Sequence, residues 1–216
     1  MDGWIFIDKP KNITSFQVIR RLKKILNLKK IGHSGTLDPL ATGILAIAIG
    51  EATKSIHYFN QNKTYHFNVV FGELKDTDDI TGKTMEYTDQ IPTKDQINRC
   101  LKAFIGEHVQ VPPKYSAVKV NGKRAYKLAR KKQSFEILPK TVFIKSLECI
   151  GSKNRYEYSF MLECSSGTYV RSIARDLGNM LGSLAYVSKL RRVKIGKIEE
   201  KDIILLDKFE ELVHIG

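Results

Sequence analysis

Six apolar residues in a row, Ile44-Leu45-Ala46-Ile47-Ala48-Ile49, leave no polar face, so whatever they form is buried. Periodicity alone leaves the run open between a buried strand and a buried helical turn, because so short a segment fits both. Directly before it lies a tight stretch, Gly32 to Thr42, reading GHSGTLDPLAT. One carboxylate, Asp38, therefore sits where a loop becomes core. Pro39 fixes its own φ and pushes Asp38 toward extended conformations, so a plain turn aspartate is the first reading of that residue. The rest of the chain has to alter it.

The flanking segments alternate between two periods. Trp4-Ile5-Phe6-Ile7 is strand-like and is stopped by Asp8-Lys9-Pro10. A helix signal begins at Thr14 or Ser15, with Val18, Ile19, Leu22, Ile25 and Leu26 at helical spacing. From Tyr65 to Phe71 the alternation predicts a half-buried strand, with Tyr65, Phe67, Val69 and Phe71 on one side. A returning strand is expected over Lys83–Tyr87. Thr93 then opens a helix with a capping box to Gln96 and Gly106 as its stop. Strands are expected at Val142–Cys149, Tyr156–Cys164 and Leu184–Val193, with a helix from near Thr168 to about Leu181. Strands and helices without a regular βαβ rhythm indicate an α+β domain. There is no internal repeat and no linker, so one domain is expected over the 216 residues.

Charge narrows the partner. Against 23 acidic residues stand 36 basic ones, a formal net charge of +13 that suits a polyanion. Lys119, Lys123, Arg124, Lys127, Arg130, Lys131 and Lys132 cluster with Tyr115 and Tyr126 around an Asn121-Gly122 turn. Cations interleaved with aromatic rings fit single-stranded or irregular nucleic acid. No apolar run approaches the roughly 18–20 residues of a membrane span, and the N-terminus MDGWIFIDKP has no targeting pattern, so a cytoplasmic protein without a membrane partner is expected. Three cysteines without CxxC spacing read as reduced thiols, and five scattered histidines give no metal-ligand spacing. The acidic loop Asp76-Thr77-Asp78-Asp79 lacks the glycine and distal glutamate of a calcium loop. GEATKS lacks the glycines of an ATP-binding P-loop, and no Gly-x-Ser-x-Gly elbow is present. Neither metal nor cofactor is expected.

The stretch GHSGTLDPLATGILAIAIGEATK closely resembles the central motif of the TruB family of pseudouridine synthases, which modify uridine-55 in the T-loop of tRNA. IFIDKPKNITS, KTYHF, YSAVKVNGKRAY, SSGTYVRSIARDLG and KLRR resemble that family in the same order, over about residues 3–206. The resemblance implies a mixed, mainly antiparallel central sheet flanked by helices. It implies Asp38 as catalytic nucleophile, Tyr65 as the aromatic stacked on the target base, and Arg171 as the arginine paired with the catalytic carboxylate. His33 corresponds to the histidine that enters the T-loop, Tyr169 and Leu190 to further substrate contacts, and Lys9 and Pro10 to a supporting motif. Ser34 stands where threonine is usual and keeps the hydroxyl. Bacterial members usually continue into a C-terminal RNA-binding PUA domain, so the expectation for 1–216 is a single catalytic domain without it. The expected partner is the T-arm stem-loop of tRNA, met by a monomer with no obligatory protein partner.

The chemistry suits these residues. Isomerisation breaks the N1–C1′ bond, turns the base, and joins C5 to C1′. A carboxylate can add covalently, take a proton, or stabilise charge at the anomeric carbon. Asp38 is the only acidic residue between Asp8 and Glu51. Acylal, Michael and glycal routes all remain open, as does any role of the Tyr65 hydroxyl in removing the C5 proton. Without the resemblance, Tyr65 and Leu190 read as core, Arg171 as a solvated residue in a helix's first turn, and His33 as a loop histidine. Two rival functions use the same features: an RNA-binding or RNA-folding protein without catalysis, and a guide-RNA-dependent relative inside a ribonucleoprotein.

Overall fold

The computed structural model describes residues 2–215. In chain order the elements are β1 (Gly3–Lys9), α1 (Ser15–Ile25), β2 (Ile31–Ser34), β3 (Thr42–Ile49), β4 (Lys63–Phe71), β5 (Glu73–Lys75), β6 (Thr84–Tyr87), α2 (Lys94–Leu101) and β7 (Gly106–Gln110). Then come β8 (Lys119–Val120), β9 (Lys123–Arg124), α3 (Ala125–Arg130), β10 (Lys140–Ser152), β11 (Glu157–Cys164), α4 (Val170–Met180), β12 (Ala185–Ile195), β13 (Ile198–Glu199), β14 (Ile204–Leu205) and α5 (Leu206–Ile215). The class is α+β with mixed, mainly antiparallel strands. Contacts divide the chain into two compact units, residues 1–66 with 190–216 and residues 67–189, and the chain changes unit within β4 and within β12.

In the first unit the strands run β14-β1-β3-β12, with β2 also on β3 and β13 on β12. The apolar run is a strand, and both its faces are covered. Leu45 and Ile47 pack with Ile7, Val18, Ile19, Leu22 and Leu206, while Ile44 and Ala46 pack with Ile195 beside Trp4, Phe6 and Phe59. Burial on two faces removes the alternation that would have marked a strand. Thr14 caps α1, where a helix start is expected at Thr14 or Ser15, and does so with a reciprocal bond to Gln17.

β3 organises the site. One edge pairs antiparallel with β1 along its length, from Gly3↔Ile49 to Lys9↔Gly43. The other edge is shared: β2 covers Ala46 to Ile49, and β12 joins in parallel at Arg191↔Thr42 and Arg192↔Gly43. The loop carrying Asp38 emerges where that edge passes from β2 to β12.

In the second unit the order is β4-β11-β10-β7, with β10 antiparallel to both its neighbours. β4 has the expected alternation, Phe67 stacking on Phe160 with ring centroids 5.4 Å apart. Thr93 caps α2 with its bond to Gln96, but the helix ends at Leu101 and a 3-10 turn follows. Gly106 opens β7 with φ +96°, starting a strand where a helix stop is expected. Asn121 (φ +48°) and Gly122 (φ +78°) form the two-residue turn between β8 and β9. β2, α3 and α5 are elements that periodicity did not mark, each too short or too weakly patterned.

Candidate active site

In the first unit the loop from Gly35 to Thr42 is tied down almost residue by residue. Gly35 takes φ +67° and its carbonyl accepts from Arg192 Nη2 at 2.8 Å. Leu37 N donates to the buried Ser15 hydroxyl at 2.9 Å, and that hydroxyl donates back to the Leu37 carbonyl at 3.2 Å. The carbonyl of Asp38 accepts from Ala41 N at 3.0 Å, closing the turn, and that of Pro39 accepts from Asn12 N at 2.8 Å. Gly43 N donates to Asp8 Oδ1 at 3.1 Å, and Asp8 takes both ends of the Arg191 guanidinium at 3.0 and 2.8 Å. Leu37, Leu40 and Ala41 are buried while Asp38 is half-buried. A carboxylate held on such a loop has little freedom to leave its position.

Lys9 lies beneath this loop with no exposed surface. Its ammonium donates to the carbonyls of Pro10 at 2.8 Å, Ile13 at 2.7 Å and Pro39 at 3.4 Å. Burial pushes it down to about 8; the negative charge of Asp38 opposes that shift, Arg192 adds to it, and Asp8 opposes it. Lys9 and Pro10 are thus brought to the Asp38 loop, Pro10 through its main chain.

His33 sits in β2 opposite Ile47. Burial, and then the Arg192 charge, hold its pKa below the ordinary histidine value, so the ring is neutral near pH 7. Its Nδ1 is buried and makes no hydrogen bond among the described residues. The Ser34 hydroxyl donates to the Phe59 carbonyl at 3.2 Å. Tyr65 in β4 is 6 % exposed and Leu190 in β12 is 5 % exposed, so both are buried in this unit.

In the second unit Tyr169 and Arg171 lie at the start of α4. Arg171 is 3 % exposed, which rules out a solvated first-turn arginine. Its Nη1 donates to the Thr77 carbonyl at 2.9 Å and its Nη2 to the Tyr115 carbonyl at 3.1 Å, with Asp79 Oδ2 at 3.6 Å from Nη1. Asp79 is fixed in turn: its Oδ1 accepts from Thr77 Oγ1 at 3.0 Å, Thr81 N at 2.9 Å and Thr81 Oγ1 at 2.5 Å. Asp78 pairs with Arg175 at 2.9 Å; burial raises its pKa while Arg175 and Arg171 oppose the rise. Tyr169 N donates to the buried Gln110 side chain at 2.9 Å, which itself donates to the Gly167 carbonyl at 2.8 Å. The acidic loop set aside as a calcium site is therefore the seat of two arginines.

Sequence patterns missed Ser15, Asp8, Arg192, Asp79 and Gln110. Each acts on main chain or charge distant in sequence, which no local period encodes. The KLRR motif contained Arg192 but gave it no task.

Residues 23–170 match the family model described as TruB family pseudouridylate synthase (N terminal domain), and residues 171–215 match that of the tRNA pseudouridylate synthase B C-terminal domain. The tRNA pseudouridine synthase B of Ehrlichia ruminantium (strain Gardel) is 49% identical over 218 residues, covering 100% of this chain and 74% of its own length. That of Bartonella bacilliformis (strain ATCC 35685 / KC583 / Herrer 020/F12,63) is 43% identical over 214 residues, covering 99% of this chain and 67% of its own length. Among solved structures, a chain of a Cbf5-Nop10-Gar1 complex superimposes with a TM-score of 0.75 at 30% identity, over 97% of this chain and 54% of that one. The present chain spans about half the length of that solved relative. The fold is that of the pseudouridine synthases, a class of isomerases. Within that class, the chain belongs to the TruB family.

Proposed function

We propose that this protein isomerises uridine-55 in the T-loop of tRNA to pseudouridine, with Asp38 as the nucleophile. The observation that carries the reading is the Asp38 loop: one half-buried carboxylate on a turn whose flanking main-chain groups are bonded to Ser15, Asn12, Asp8 and Arg192. Chemistry at a fixed sugar carbon rewards such pre-positioning. The N1–C1′ bond breaks, the base turns, C5 bonds to C1′, and the C5 proton is lost while N1 gains one. No external group enters, so neither cofactor nor metal is required.

The base leaves its stack at a cost of a few kcal/mol, and stacking on an aromatic ring returns about 1–3 kcal/mol. Tyr65 is assigned that ring, and Tyr169 and Leu190 the further contacts. His33, neutral and with no hydrogen bond at Nδ1 among the described residues, is suited to enter the space of the extruded nucleotides. Arg171 is assigned as the charge partner of the carboxylate, a role supported by its burial and its carbonyl tethers. The reading takes residues 1–216 as one catalytic domain acting as a monomer in the cytoplasm, without an obligatory protein partner. No helix among the described residues is long and apolar enough to cross a membrane.

Mapping pseudouridine in an unmodified tRNA transcript tests this directly. Modification at position 55 by the protein alone is expected. A modified site elsewhere overturns the assigned specificity, and no modification of naked tRNA favours a guide-dependent or purely RNA-binding function.

A further inference from the structure

Arg192 is fully buried, and its guanidinium binds two backbone carbonyls. Nε donates to Ile44 O at 2.8 Å and Nη2 donates to Gly35 O at 2.8 Å. Those two carbonyls stand at the two ends of the Asp38 loop. They are the acceptors left over where β2 has stopped pairing with β3, after Ser34↔Ala46, and β12 has only begun, at Arg192↔Gly43. A buried carbonyl without a donor is costly, so the side chain does there what a strand would otherwise do.

The packing around it is equally close. At Gly35 a Cβ would come within 3.2 Å of Arg192 Nη1, and at Gly43, where φ is +97°, it would collide with the Arg192 main chain. Both glycines take a positive φ, and both lie against residue 192, Gly35 against its guanidinium and Gly43 against its main chain. Asp8 holds Gly43 N and Arg191 together beside it.

We propose that Arg192 is a positioning residue for the isomerisation: by bridging Gly35 O and Ile44 O it closes the Asp38 loop into one rigid turn and sets where the carboxylate stands. The proposal rests on Asp38 being the nucleophile. Arginine is needed because its planar fork offers diverging donors at fixed separation, which a single ammonium does not. Lysine keeps the charge and loses the bridge.

The test uses Arg192→Lys in the full chain, with single-turnover pseudouridine formation at saturating tRNA transcript, tRNA affinity, and hydrogen exchange of the amides in residues 36–42. The single-turnover rate is expected to fall by about 100-fold, with tRNA affinity within about three-fold and faster exchange confined to the loop. Val18→Ala, a core change on α1, should lower the unfolding temperature while sparing turnover, so general destabilisation is distinguished from loss of position. If Arg192→Lys does not fold, Arg192→Gln, whose single amide cannot span both Gly35 O and Ile44 O, should show the same separation of rate from affinity. A wild-type rate in whichever of the two variants folds overturns the proposal. Asp38→Asn run in parallel separates the two readings: an active Asp38→Asn removes the nucleophile assignment, whereas an inactive one beside a fully active Arg192→Lys removes the clamp alone.

Discussion

The Asp38 loop in the first unit and the basic segment Lys114–Pro139 in the second are built on opposite terms. Between Gly35 and Gly43 the main chain is bonded to Arg192, Ser15, Asn12 and Asp8, and Leu37, Leu40 and Ala41 are buried. The basic segment holds two strands of two residues each and a six-residue helix, anchored by the buried Ser116, Ala125 and Ile137. Lys119, Lys123, Arg124, Lys127, Arg130, Lys131 and Lys132 are all exposed. A group that must meet one carbon atom requires a fixed frame. Charges that meet a phosphate backbone act through a long-range field and tolerate movement. The loop should therefore govern rate, and the segment affinity.

The largest effect expected is that of Asp38→Asn. If Asp38 is the nucleophile, removing its charge while leaving the basic surface intact should lower single-turnover formation of pseudouridine by at least about 1,000-fold while tRNA affinity stays within a few-fold. Near-wild-type turnover in that variant would break the comparison at its first term.

Arg171→Ala should come next, with a rate loss of about 100- to 1,000-fold and a small change in affinity. Arg171 lies in the same unit as the basic segment, so the variant asks whether the division follows residue roles instead of units. Groups that act together are non-additive, so the double variant with Asp38→Asn should be little worse than Asp38→Asn alone. A large loss of affinity with an unchanged single-turnover rate would move Arg171 to the binding side.

How much of this was legible in the sequence differs between the two regions in the same way. Elements whose identity is local were readable: the helix start at Thr14 or Ser15, the Thr93–Gln96 capping box, the Asn121-Gly122 turn, and the alternation from Tyr65 to Phe71. The exposed basic segment was readable too, because exposure and charge need no partner. What holds the Asp38 loop was not. Ser15 is 22 residues from Leu37 and Arg192 is 157 from Gly35, and nothing in a residue's neighbours announces such a bond. Arg171 shows the same limit, since a helix's first turn is normally wet and only tertiary packing against Thr77, Tyr115 and Asp79 buries it. Family resemblance supplied the candidate residues and the Lys9-Pro10 support; the fold supplied the remaining supports, Ser15, Asp8 and Arg192.

Lys9 gives a smaller, thermodynamic handle on the loop. Its ammonium is held at about 8 in the folded protein by burial, against an ordinary value of 10.5. Below pH 8 both states carry the proton. Between about pH 8 and 10.5 the unfolded chain binds more protons than the folded one, so Lys9 adds stability as pH rises, by about 1–3 kcal/mol across the window. Urea unfolding of wild type and Lys9→Met from pH 7 to 10.5 isolates this term as a difference in slope. Equal slopes would mean that Lys9 keeps its proton and that its burial is compensated.

The smallest effect belongs to single cations of the basic segment, and it tests the other half of the comparison. Lys123 is exposed in the strand after the Asn121-Gly122 turn, and its side chain makes no bond to the described residues, so truncating it deletes a charge and keeps the strand pairing to Val120. If it meets a phosphate, Lys123→Ala should weaken tRNA binding a few-fold and reduce the slope of log K against log salt by about 0.7–0.9. Single-turnover rate at saturating tRNA should stay within about two-fold of wild type, because the frame of Asp38 is untouched. Arg192→Lys and Lys123→Ala then form opposite corners: rate without affinity, and affinity without rate. A ten-fold fall in the saturated rate of Lys123→Ala would show that the segment also positions the reacting nucleotide, and the separation between a rigid loop for chemistry and an adaptable surface for grip would fail.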